Sequence, residues 1–188
     1  ALARFTAARN AHVVYGFAER GDAIYNSSAL VGPGGLIGVY RKMHLYYKET
    51  TLFAPGNLGF PVFRLPFGVV GMMVCFDWFF PESARTLALA GAEIIAHPSN
   101  LVMPHCPDAM VTRCLENRVF SATANRIGAE DRGGLALSFI GLSEIVSPKG
   151  EILARLGRDT AGIAVRELDL TAARSKRLNE YNDLFADR

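Results

Sequence analysis

Short apolar runs broken by glycine, proline and charged turns dominate the chain. Residues 2–10 place apolar and Arg positions at helical spacing, and His12 to Phe17 is a short apolar run ending in the turn chemistry of residues 18–22. A strand is predicted from Ile24 to Val31. Gly32-Pro33-Gly34-Gly35 is strong turn sequence, and Leu36 to Arg41 reads as the returning strand. Lys42 to Phe60 follows as a long irregular stretch, a kind of loop that usually carries function.

Val69 to Val74 is apolar throughout and predicts a buried strand. Pro81 opens a helix with Glu82 in its first turn. Ala92 to Ala96 predicts another buried strand. Pro107 and Asp108 start a second helix, with Met110, Val111, Cys114, Leu115 and Val119 on one face. Phe120 to Ile127 returns as strand. Leu142–Val146, Glu151–Arg155 and Ile163–Leu168 read as antiparallel strands, and Leu170 onward as a polar helix. Helices alternating with buried strands early and hairpins late predict a mixed sheet covered by helices, on the border of α/β and α+β. No linker divides the chain, so residues 1–188 read as one domain.

Composition narrows the function. Half of the residues are apolar and one fifth charged, enough for a folded core and unlike a disordered chain. Twenty cations against 18 acids leave +2, too little to argue for nucleic acid or an anionic membrane as partner. The longest uncharged apolar stretch, Phe67 to Phe76, is about half of what a membrane-spanning helix needs. No secretory signal is visible at residues 1–6. Cys75, Cys106 and Cys114 are odd in number without a Cys-x-x-Cys pair, which predicts a reducing, cytoplasmic setting.

Candidate chemistry clusters around Cys75. It ends the buried strand and precedes a helix start, where ligands sit in open α/β sheets. A thiolate there gains from backbone N–H groups and a nearby cation; equally, a free Cys at that place fills a core. Asp77 can be a partner acid or a brace for the loop backbone. Lys42, His44 and Glu49 lie where a strand gives way to the long loop. His97, His105 and Cys106 match no structural zinc spacing. Arg113, Glu116 and Asn117 share a helix at spacings that also suit a plain surface ion pair.

Taken in order, these pieces resemble the nitrilase, or carbon–nitrogen hydrolase, superfamily. Tyr40-Arg41-Lys42-Met43-His44-Leu45, Glu49 and Phe53-Ala54-Pro55-Gly56 look like its lysine block. Gly71 to Glu82, with Cys75-Phe76-Asp77-Trp78 at its centre, looks like its cysteine block, in the form of small prokaryotic nitrilases and aliphatic amidases. Gly91-Ala92-Glu93, Pro98-Ser99, Arg113-Cys114-Leu115-Glu116-Asn117, Ala124-Asn125-Arg126 and Pro148-Lys149-Gly150 match later blocks.

The resemblance implies an α-β-β-α sandwich with mixed sheets and hydrolysis of a small amide or nitrile through a cysteine thioester. It implies no cofactor and no metal. Lys42, Cys75 and Glu49 would be catalytic, and Phe76, Trp78, His97, Ser99 and Asn100 would bind substrate. Glu82, Arg113, Glu116 and Asn117 would support the site, and the bulk of Trp78, Phe79 and Phe80 suggests a small substrate. The family's general-base Glu belongs upstream of the His12–Phe17 strand, and residues 1–11 contain no acid. The chain is therefore expected to be a fragment lacking N-terminal strands and helices and a C-terminal tail, inactive alone. A homodimer or higher homo-oligomer is expected through the helix from Pro107, with residues 170–188 running over the partner. One alternative is an incompetent chain that acts only as an interaction domain. Another is a Cys–His–Asp α/β-hydrolase, disfavoured because Met73 and Asp77 stand where its nucleophile elbow needs glycine.

Overall fold

A computed structural model describes residues 1–188. After helix α1 (Leu2–Arg9), strands β1 (Val13–Arg20), β2 (Ile24–Gly32) and β3 (Gly35–Arg41) form a three-stranded antiparallel sheet. The Gly32–Gly35 turn sets its second hairpin, with Gly35 at φ 104° as only glycine accepts freely. Thr6, the buried residue of α1, donates its hydroxyl to Gly32 O and seats the helix on this sheet.

The second sheet has six strands in the order β11-β10-β7-β6-β5-β4. They are β4 (Val62–Leu65), β5 (Gly68–Met72), β6 (Ile94–Ser99), β7 (Phe120–Asn125), β10 (Glu144–Val146) and β11 (Ile152–Arg155). The central three, β5, β6 and β7, run parallel, and the outer pairings are antiparallel. Helices α2 (Pro81–Leu89) and α3 (Cys106–Asn117) make the crossovers. Their buried residues Ala84, Leu87, Ala88, Cys106 and Met110 pack with Ile95 into the larger core. The smaller core, Leu30, Tyr40, Met72 and Val74, lies between the two sheets. The layers thus run helix pair, sheet, sheet, with α1 on β2 and β3, a mixed α/β architecture as expected. Strands β8 (Ala129–Arg132) and β9 (Leu135–Ser138) form a hairpin outside both sheets. No helix is long and apolar enough to cross a membrane.

Two expectations need correction. Ile163–Leu168 is not a strand: Ile163 and Val165 are 91% and 76% exposed, and it is the Arg166 side chain, not a backbone ladder, that reaches the edge strand β11, its Nε donating to Leu153 O. Beyond Leu170 only Thr171–Arg174 (α4) is helical. Side-chain turns take over the rest: Asn179 accepts from Tyr181 N and Asn182 N, and Asp183 from Phe185 N and Ala186 N. This segment packs on its own chain. Lys176 donates to the carbonyls of Asn117 and Arg118 at the end of α3, and Phe185 packs against the larger core.

Candidate active site

The ladder of β5 stops at Met72 and the chain turns into a short 3₁₀ helix, Cys75–Phe79. Cys75 has φ 46°, the left-handed region, which costs a side-chain-bearing residue about 1 kcal/mol or more. Buried hydrogen bonds on both sides hold it there. The carboxylate of Asp77 accepts from Val74 N at 2.9 Å, from the Tyr40 hydroxyl at 2.8 Å, and from His44 through its N–H at 3.2 Å and its Nδ1 at 2.8 Å. Tyr40 belongs to β3, so Asp77 ties the turn to the opposite sheet. Burial and the Asp77 charge push the Tyr40 phenol well above its ordinary range, keeping it a donor.

On the other side, His97 Nε2 lies 2.9 Å from Cys75 O and its Nδ1 lies 3.1 Å from Thr123 Oγ1. A carbonyl only accepts, so Nε2 carries the proton and Nδ1 receives the threonine hydroxyl. Burial lowers the imidazole pKa to about 4, so the ring is neutral near pH 7.

Lys42 follows β3 with its side chain fully buried, and Nζ is 2.5 Å from Glu49 Oε2. Glu49 sits in a 3₁₀ turn, Tyr47–Thr51, and also accepts from Tyr46 N at 2.6 Å and Asn26 Nδ2 at 2.8 Å. Gly56 N donates to Lys42 O at 2.9 Å. Burial pushes the Cys75 thiol up. The Lys42 ammonium and the N–H groups of Asn100 and Phe76 pull it down, and Glu49 adds a smaller upward push. Cys75 and Glu49 open onto one cavity of about 680 Å³, bounded by β1, the Tyr46–Phe53 loop, Pro98–Asn100 and the β8–β9 hairpin.

A family model described as carbon-nitrogen hydrolase matches residues 1–178. The chain belongs to the carbon–nitrogen hydrolase family. It is 56% identical to a nitrilase of Pyrococcus abyssi over 94% of this chain and 66% of that protein. The structure of a carbon-nitrogen hydrolase from Helicobacter pylori G27 superimposes with a TM-score of 0.80 at 28% identity, over 85% of this chain and 63% of the other. A variant of the amidase from Nesterenkonia sp. AN1 carries the acetamide moiety of fluoroacetamide covalently at its active-site cysteine. It matches with a TM-score of 0.75 at 29% identity, over 84% of this chain and 61% of that one. The chain thus spans about two thirds or less of the length of each.

Not every residue that the resemblance to carbon–nitrogen hydrolases implies lies on the cavity. Ser99 and Asn100 line it beside Cys75 and Glu49, while Lys42 lies behind Glu49. Phe76 offers its N–H to the Cys75 sulfur, but its ring packs beside Tyr46. Trp78 and His97 do not border the cavity. Trp78 turns into the larger core, and the His97 ring is occupied on both nitrogens. Nor do Phe79 and Phe80 crowd the thiol. Phe79 is half exposed and Phe80 stacks on His44 at 3.8 Å, so their bulk sets no limit on substrate size.

The helix residues also stand behind the turn, not on the cavity. Arg113 reaches Trp78 O at 3.4 Å and pairs with Glu116 at 2.8 Å, and Asn117 donates to Arg113 O. Glu82 is exposed at the start of α2, with no hydrogen bond from its carboxylate, so the expected support is absent. Glu19, beside β2, is held by Arg41 and Ser27. The sequence assigns no site role to Asn26, which orients Glu49, and gives no place to the β8–β9 wall. Gly133-Gly134 between short runs was the available signal for that hairpin.

Proposed function

We propose that the protein hydrolyses a non-peptide carbon–nitrogen bond of a small amide or nitrile, releasing ammonia, through a thioester on Cys75. The observation that carries this reading is the placement of Cys75 on the cavity, in a strained and braced turn, with the Lys42–Glu49 pair beside it. Burial favours the thiol form, so a base takes the Cys75 proton as sulfur bonds to the carbonyl carbon. Negative charge moves onto the carbonyl oxygen. The Lys42 ammonium and the Phe76 N–H stabilise it. The carbon–nitrogen bond then breaks, the proton goes to the departing nitrogen, and ammonia leaves a thioester. Water, deprotonated by the same base, attacks the thioester, and sulfur departs with the proton as the acid is released. With a nitrile the first adduct is a thioimidate, and one further water converts it to the thioester as ammonia leaves.

Both carboxylates on the cavity are already committed. Glu49 faces Lys42, Tyr46 N and Asn26, and Glu130 faces Arg126. The reading therefore assigns the base to a carboxylate outside residues 1–188, and those residues alone to negligible turnover. It also takes the protein as a homodimer meeting through α3, on which Leu115 is exposed; a monomer by light scattering at micromolar concentration would remove that part. The main test is ammonia release by the full chain from a panel of small amides and nitriles. Cys75→Ala should abolish it, and mass spectrometry of quenched reactions should show an acyl group on Cys75. Undiminished release by Cys75→Ala would sink the assignment.

A further inference from the structure

We propose that the β8–β9 hairpin is the substrate-selecting wall of the cavity, and that it selects amides or nitriles whose acyl part is an uncharged hydrocarbon chain. The inference rests on the hydrolase reading for its chemistry but on separate residues for its geometry.

Along β9, Ala136 and Ser138 are exposed, while Leu135 and Leu137 are half-buried and line the cavity. Phe139, buried just after the strand, and Val102 and Leu52 extend the same apolar surface. The period-2 alternation of a strand puts both leucines on one side, so a chain lying in the cavity meets side-chain hydrocarbon along the length of β9.

Both acids that residues 1–188 place on the cavity are occupied. Glu130 stands opposite Leu137 in the hairpin register, where a substrate amine would look for a partner. Its carboxylate is held by Arg126 at 3.0 Å, with Arg132 3.7 Å away, and these pairings keep it below the ordinary carboxylate range. The Arg126 guanidinium lies 4.3 Å above the Phe139 ring, which fixes it over the wall. Glu49 is taken by its three donors, and Lys48, also on the cavity, repels a cation. At the hairpin end of the cavity an ammonium-bearing substrate would lose its water and find no carboxylate free of another cation. A hydrocarbon chain gains about fourfold in affinity for each methylene buried.

The test is calorimetric binding to the Cys75→Ala variant of the full chain, which separates recognition from turnover. Straight-chain amides from acetamide to hexanamide are compared with 6-aminohexanamide. Affinity should rise about fourfold per methylene, and 6-aminohexanamide should bind at least tenfold more weakly than hexanamide. Leu137→Ala should flatten the rise with length. Leu137→Asp should flatten it further and bring 6-aminohexanamide up to or above hexanamide. Equal binding of the two six-carbon amides to the parent, or a length dependence untouched by Leu137→Ala, would overturn the proposal, whatever Leu137→Asp does to folding. Ammonia release is measured separately on the Cys75 protein. Chain-dependent binding without release would sink the hydrolase reading and leave this one standing. Release with length-independent binding would do the reverse.

Discussion

Replacing Asp77 by Ala removes one carboxylate and leaves four hydrogen-bond contacts without an acceptor. Two of the donors, Val74 N–H and the Tyr40 hydroxyl, are buried, and each costs about 1–3 kcal/mol when orphaned. Of the His44 donors, the ring Nδ1 belongs to a side chain that is 26% exposed and can recover water, and the backbone N–H makes the longest of the four contacts at 3.2 Å, so they add less. Relief from burying a carboxylate works in the opposite direction. The expected loss is about 3 kcal/mol, at the upper end for a single substitution. Asp77→Asn should cost about half of that: its oxygen still serves His44, while its amide nitrogen faces Val74 N–H, donor against donor. The assay is urea unfolding of the full chain at pH 7. With a slope of about 1–3 kcal/mol per molar urea, Asp77→Ala should lower the midpoint by roughly 1–3 M. Native-state alkylation of Cys75 gives a second reading, because a turn freed from Asp77 no longer holds the thiol in one place. An Asp77→Ala protein within about 1 kcal/mol of the parent, or an Asn variant weaker than the Ala variant, would refute the bracing role.

Iodoacetamide alkylation of Cys75 followed against pH should show a midpoint above that of an ordinary cysteine. Lys42→Ala should move it higher and Glu49→Gln lower, since the lysine charge favours the thiolate and the glutamate charge opposes it; opposite signs would break the electrostatic account. His97 is neutral in the fold down to about pH 4, whereas in the unfolded chain it gains a proton below about 6.5. Acid therefore favours unfolding across that window, by about 3 kcal/mol from this group between pH 6.5 and 4. The difference in urea midpoint between pH 7 and 4.5 should shrink in His97→Gln, and an unchanged difference would place the acid sensitivity elsewhere. Gly56→Ala would drive a methyl group into the Arg41 and Lys42 carbonyls, backbone that cannot swing aside. We expect a loss of about 2–4 kcal/mol, read as a fall in urea midpoint, and a midpoint near the parent's would contradict the close approach.

Much of the fold was legible because its signals are local. Gly32 to Gly35 announces a hairpin, and the apolar run at Val69–Val74 followed by Pro81 announces a buried strand feeding a helix. What failed depended on distant partners. Ile163–Leu168 has strand composition but joins no ladder, although Arg166 Nε reaches Leu153 O on the edge strand β11, and composition does not disclose which segments pair. Trp78, Phe79 and Phe80 follow the cysteine in sequence, and their bulk there suggests a small substrate. Which way each side chain turns is decided by the 3₁₀ turn, and that turn is set by Asp77 reaching Tyr40, 37 residues away. The left-handed backbone of Cys75 was invisible for the same reason. Lys42, Cys75 and Glu49 could be singled out in the sequence, yet that Asn26 orients Glu49 follows only from the pairing of β2 with β3.

The β8–β9 hairpin shares no ladder with either sheet; its base is joined to the body by Phe139 N to Gly128 O, Ile140 N to Leu101 O and Gly141 N to Arg126 O. Cys75 stands in the turn after β5 and its brace Tyr40 on β3, so the hairpin wall of the cavity and the groups beside the thiol occupy separate stretches of backbone. Changes at separated positions tend to act independently. A mutational walk through residues 129–138 can therefore explore new cavity shapes without disturbing the turn at Cys75. On the proposed function, such a layout would let one frame around Cys75 meet different substrates, with drift in a ten-residue hairpin supplying the variation while the sandwich stays under a different selection.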